Sequence, residues 1–170
     1  ANGTLTNAWT TTSSGPVNFT ADKMALSGGT VTVTASTGVT PAITLTTLTP
    51  GVQIALNGTD GAGVLGIAAA DLSSLSVGSF EGNLLQIGDT AHTGDIVDAG
   101  AAISTASPVR LVTQGNVDLS TGAWTYTGSA STGATDPGLD IRHNGTLALA
   151  GVSLGQGAFS EIDTGGIGAG

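Results

Sequence analysis

The chain has 170 residues, 28 of them glycine; 39% are apolar, only 9% are charged, none is cysteine, and the formal net charge is −9. Three basic residues, Lys23, Arg110 and Arg142, cannot build the cationic groove that nucleic acid requires, and without cysteine there is no disulfide framework and no thiolate metal site. The apolar content is too high for a disordered chain, and no apolar run approaches the roughly 18 residues of a membrane-spanning helix.

In chain order, the apolar residues arrive in short period-two pulses. They are Val17–Phe19, Met24–Leu26, Val31–Val33, Ile43–Leu45, Val52–Leu56, Leu85–Ile87, Val109–Leu111, Val117–Leu119, Trp124–Tyr126, Leu139–Ile141, Leu147–Leu149 and Val152–Leu154. Alternation of this kind marks half-buried strands. Glycine, asparagine, aspartate, serine or threonine follows each pulse and marks a turn. The stretch 66–76 is the one candidate for a helical turn, kept short by Ser73, Ser74 and Gly78. Many short, evenly spaced strands predict an all-β fold of one domain over residues 1–170. Three-residue pulses with small neighbours suit a parallel β-helix (β-solenoid) with Gly, Asn and Asp at its corners. A β-sandwich filament subunit is the alternative, with longer strands and larger core residues.

Residues 52–129 resemble the repeats of filamentous-haemagglutinin-like bacterial surface proteins. The matching stretches are ADLSSLS at 70–76, LQIGD at 85–89, TGDIV at 93–97 and VRLVTQGNVDL at 109–119, with a departure at EGN, 81–83. The likeness extends as a repeat-like core over residues 50–155, and residues 1–40 share only its rhythm and are expected to act as a cap or docking segment. The resemblance implies a right-handed parallel β-helix at the bacterial cell surface or in an extracellular filament, serving as adhesin or matrix scaffold. The partners it implies are further copies of the chain, as a homopolymer or as tandem units of a longer polypeptide, added by stacking or strand addition.

Motifs that could carry chemistry are better explained by that scaffold. His92, between Asp89 and Asp95, and His143 are expected as exposed turn histidines. GAGVLG at 61–66 fits a dinucleotide-loop pattern, but no alternating βαβ pattern surrounds it, so it is expected to be a corner. GVSLG at 151–155 fits a nucleophile-elbow pattern, yet reads as a strand between two glycines. Asp60, Asp95 and Asp98 lie in glycine-rich stretches without the repeated pattern of a calcium β-roll, and are expected as surface acids. Asn2, Asn18, Asn57 and Asn144 each begin an N-x-T sequon. Asp118, Asp140 and Arg110 are the outward-facing residues from which a polysaccharide-cleaving site would have to be built. The T-x-T arrays at 30–34, 44–46 and 125–127 could align as a hydroxyl ladder. The expectation is therefore a non-enzymatic protein with no catalytic, cofactor-binding or metal-ligating residues and no cofactor. The alternative is a β-solenoid module that binds a glycan or ice. Neither nucleic acid nor a membrane span is expected among its partners, and its location is extracellular or at the cell surface.

Overall fold

The computed structural model describes residues 3–34, 41–78, 83–128, 138–154 and 160–164. In chain order the elements are β1 (Leu5–Thr6), β2 (Thr11–Ser13), β3 (Val17–Thr20), β4 (Met24–Ala25), β5 (Val31–Val33), β6 (Ile43–Thr46), β7 (Gln53–Leu56), β8 (Val64–Ile67), α1 (Ala69–Ser73) and β9 (Leu75–Val77). They continue with β10 (Leu85–Gly88), β11 (Ile96–Asp98), β12 (Ile103–Thr105), β13 (Val109–Thr113), β14 (Val117–Leu119), β15 (Trp124–Tyr126), β16 (Leu139–His143), β17 (Leu147–Leu149), β18 (Val152–Leu154) and β19 (Ser160–Thr164). The fold is all-β, with the short helix α1 where the sequence allows a helical turn.

Every ladder between named strands is parallel. Antiparallel pairing occurs among the described residues only as an isolated bridge, Gly61 to Val64. The strands fall into three rows. The first is one sheet, β3-β6-β10-β13-β16-β19. The second holds β1-β4 and β8-β7-β11-β14-β17, and the third holds β2-β5-β9 and β12-β15-β18. From β10 to β18 the chain visits the first, second and third rows in turn, and then repeats.

Register explains why short pulses suffice. In the first row Ile43, Leu85, Val109 and Leu139 align in one column, and Leu45, Ile87, Leu111 and Ile141 in the next. In the second row Leu65, Ile54, Ile96 and Val117 align. All of these are buried and belong to one core. Each such side chain contributes about 1.5–3 kcal/mol by leaving water. A strand of three residues offers only one or two inward side chains, so its stability comes from the layers on either side.

One layer is irregular. The second row places both β8 and β7 between β4 and β11, whereas the first row places only β6 between β3 and β10. The extra strand arises because Asn57 (φ 57°) and Gly63 (φ 70°) take left-handed conformations that turn the chain back. The motif at 61–66 is thus a corner only as far as Gly63; Val64, Leu65 and Gly66 belong to β8. The corner expectation fails there because Leu65 and Ile67 have Ile54 and Leu56 to pack beside. α1 follows at once, and Asp71 fixes it. Its buried carboxylate accepts hydrogen bonds from the backbone N–H groups of Leu26 (2.7 Å), Ser27 (2.9 Å) and Ala68 (3.1 Å). In the third row β9 pairs with β5, but no ladder joins β9 to β12.

Candidate functional site

The most regular polar feature lies on the outside of the third row. Thr12, Thr32 and Ser76 align across β2, β5 and β9, and Ser104, Thr125 and Ser153 align across β12, β15 and β18. Their chain neighbours Val31, Val33, Ile103 and Trp124 are buried, which turns these six hydroxyl residues outward. Neighbouring strands stand about 4.8 Å apart, so hydroxyls recur at that spacing within each column. Thr30 and Thr34 flank Thr32 and are exposed. Of the sequence arrays, 30–34 and 125–127 share this row, whereas Thr44 lies in the first row beside Asn18 and Gln86. Sequence reasoning missed Thr12, Ser76, Ser104 and Ser153, because only the register reveals them as members of columns.

Where the third row breaks, a cleft of about 320 Å3 opens between β9 and β12. Leu72, Leu75 and Leu85 give it apolar walls, and Ser73, Ser76, Ser104, Thr105, Ser107 and Thr127 surround them with hydroxyls. Among the described residues, no charged side chain lines it. The two sides are bridged by the Val77 N–H, which donates to Ser107 Oγ at 3.2 Å. Thr105 is only 7% exposed, and its Oγ1 has no hydrogen-bond partner among the described residues.

The charged residues weighed for polysaccharide cleavage form a different arrangement. Arg110 and Asp140 are register partners on β13 and β16. Arg110 Nε lies 2.5 Å from Asp140 Oδ2, and Arg142 Nη2 lies 3.1 Å from the same oxygen. Asp140 does point away from the core columns, but it is fully buried beneath the two guanidinium groups rather than exposed. Asp118 sits apart on β14, in the second row. There the hydroxyl of Ser120, and then its N–H, holds the Asp118 carboxyl below the ordinary range. The three residues therefore do not converge.

Both histidines depart from the exposed-turn expectation. His92 is 1% exposed. Its ring Nδ1 shares a hydrogen bond with Thr47 Oγ1 (3.1 Å), and its backbone N–H donates to Asp89 Oδ1 (2.9 Å), while Asp89 Oδ2 accepts from the Thr46 hydroxyl (3.0 Å). Burial pushes the His92 imidazole below its usual pKa, against the opposing pull of Asp89 and Asp95. The ring is a neutral strut that ties the corner after β10 to the corner after β6. His143 closes β16 and is also buried, beside Thr113 of β13 in the register. A turn histidine becomes a core residue here because a further layer lies alongside it.

The remaining motifs resolve into local structure. Ser153 is an exposed residue within β18, as the strand reading of 151–155 requires; Gly155 lies outside the described residues. So do Glu81 and Gly82 of the departing EGN, and Asn2. Asn18 and Asn144 are exposed, whereas Asn57 spends its side-chain amide on the carbonyls of Ala101 and Ala102 (3.2 and 3.0 Å). Asp60 Oδ1 accepts from Gly66 N–H (2.9 Å), Asp95 Oδ1 from Asn116 N–H (2.8 Å), and Asp98 Oδ1 from Gly100 N–H (2.9 Å). Asp98 is buried rather than a surface acid, since its carboxylate folds back onto that turn. Among the described residues no three metal-ligating side chains gather, and no helix is long and apolar enough to cross a membrane. No protein-family model, curated protein or solved structure matches the chain.

Proposed function

We propose that the chain is one stretch of a β-solenoid that serves as a non-catalytic scaffold, an adhesin or matrix element at a bacterial surface or in an extracellular filament. The observation that carries this reading is the parallel register, in which two apolar columns run along the first row from β3 to β16, one continuing to Ile162 of β19 and the other ending at Ser160. Both ends of that row favour continuation by more of the same. At one end Val17 and Phe19 of β3 are only half-buried. At the other, Ile162 of β19 aligns with the fully buried Ile141 yet is 46% exposed. A further layer, from a second copy or from a tandem unit of the same polypeptide, would cover such residues and pair the edge strands. Negative-stain electron microscopy at several protein concentrations tests the self-assembling form. Fibres with a regular axial repeat are expected, and dispersed short particles at every concentration would count against assembly of separate copies.

A second reading, a glycan- or ice-binding module, is favoured by the hydroxyl columns of the third row. Thr12, Thr32 and Ser76 form an aligned, uncharged array of hydroxyls, the chemistry that an ice- or sugar-binding face uses. Thermal hysteresis and ice-crystal shaping test the ice form. A Thr32→Tyr variant is expected to abolish both, and a wild-type protein without hysteresis or shaping would remove ice as the ligand.

A further inference from the structure

We infer that the cleft between β9 and β12 is a binding site for a short neutral saccharide, an inference that rests on the reading of the third row as a ligand-binding face. The cleft has a structural origin: the additional strand β8 and helix α1 occupy the layer at which the third row loses its ladder. What remains combines two surfaces that a sugar ring needs. Leu72, Leu75 and Leu85 offer an apolar wall for the C–H face of a ring. Ser76 and Ser104 offer exposed hydroxyls, each able to donate and to accept, as sugar hydroxyls do.

Thr105 is the independent sign of a ligand. It aligns with Tyr126 of β15 and Leu154 of β18, positions that otherwise hold larger side chains. A valine would fill the same volume. The threonine instead leaves a buried hydroxyl without a partner at the lining of the cleft, which is a cost to the fold. A rotation about χ1 that turns this hydroxyl toward the cleft would let a ligand hydroxyl satisfy it. The volume, about 320 Å3, stands near the lower bound of roughly 300 Å3 for small-ligand clefts, which suits a mono- or disaccharide rather than a long chain. Charge selects against acidic sugars. The cleft has no lining cation, the guanidinium groups of Arg110 and Arg142 are engaged with Asp140 on the first row, and the net charge is −9.

The test is titration of the isotopically labelled chain, followed by amide NMR shifts, with maltose, cellobiose and N,N′-diacetylchitobiose as neutral probes and digalacturonate as the acidic one. Shifts confined to residues 72–76, 104–107 and 127 are expected with at least one neutral probe and absent with the acidic one. Thr105→Val is expected to weaken that binding about five-fold, as loss of one hydrogen bond does, while raising the thermal midpoint because the orphan hydroxyl is gone. Ser104→Trp, at an exposed position, is expected to abolish binding without unfolding. Binding that leaves the cleft unshifted but moves Thr12 and Thr32 would overturn the cleft and keep the face. Binding unaffected by both variants overturns the assignment of the site. Absence of shifts with all three neutral probes overturns the inference, and the ice assay then decides the broader reading separately.

Discussion

At the scale of single residues, two buried polar groups govern how the protein should respond to acid and to mutation. His92 has a folded-state pKa below its unfolded value because burial disfavours the imidazolium. The unfolded state therefore binds a proton first as the pH drops, and stability must fall with it. The contribution is complete above the unfolded pKa of about 6.5 and is lost progressively below it, with a slope of at most about 1.4 kcal/mol per pH unit. Urea unfolding at pH 8, 7, 6 and 5 should show this decline, and His92→Asn, which can keep the hydrogen bond with Thr47, should flatten it. Equal slopes for the two proteins would place the acid sensitivity elsewhere. Asp140 is the second case. Its carboxylate is fully buried against Arg110 and Arg142. Asp140→Asn leaves two guanidinium groups together without the compensating charge, which should cost about 3–5 kcal/mol in urea unfolding. Asp118→Asn, at a solvent-exposed carboxylate bonded only to Ser120, should change nothing measurable.

At the scale of elements, the glycine motif at 61–66 separates two demands that look alike in the sequence. A side chain added at Gly61 would meet only the Val64 side chain at 3.7 Å, an ordinary contact. One added at Gly66 would lie 2.2 Å from the Thr59 carbonyl carbon and 2.5 Å from the Asp60 nitrogen. Backbone cannot move aside as a side-chain tip can, so Gly66→Ala is expected to cost about 2–3 kcal/mol and Gly61→Ala less than about 0.5 kcal/mol. Thermal unfolding of both variants checks the contrast. The same segment marks where sequence reading runs out. Each of the twelve alternating apolar pulses overlaps a strand, with Leu26 and Val52 just outside the strand ends, because a period of two follows directly from the pleat. β2, whose residues are Thr11, Thr12 and Ser13, has no apolar residue to announce it and is a strand only because β5 lies beside it. β8 was hidden by glycines that are also corner residues. The burial of His92 depends on Thr47, 45 positions away, and the hydroxyl columns depend on spacings that change from layer to layer. Local pattern is legible in the sequence; the stacking that converts turn residues into core residues and scattered serines into a column is not.

At the scale of the whole molecule, layered parallel strands make the effect of a core deletion depend on the layer that holds it. Leu111 on β13 is fully buried, with Ile87 and Ile141 as its register neighbours on either side. Leu111→Ala should therefore cost about 2–5 kcal/mol. Leu149 on β17 is only half-buried, and Leu149→Ala should cost less than half as much in dilute solution. End-to-end assembly, as proposed, would reverse the ranking at the ends. Ile162 continues the column of Leu111 and Ile141 but is 46% exposed, so Ile162→Lys should leave the thermal midpoint of the isolated chain within about 2 °C. If copies stack through this end, the new ammonium group must enter an aliphatic column, and fibre length or the sedimenting fraction should collapse under conditions where the parent chain assembles. Leu111→Ala, compared at a temperature where it remains folded, should assemble normally. Fibres of unchanged length from Ile162→Lys would show that the end of the first row is not where copies meet, and that growth of the scaffold uses another surface.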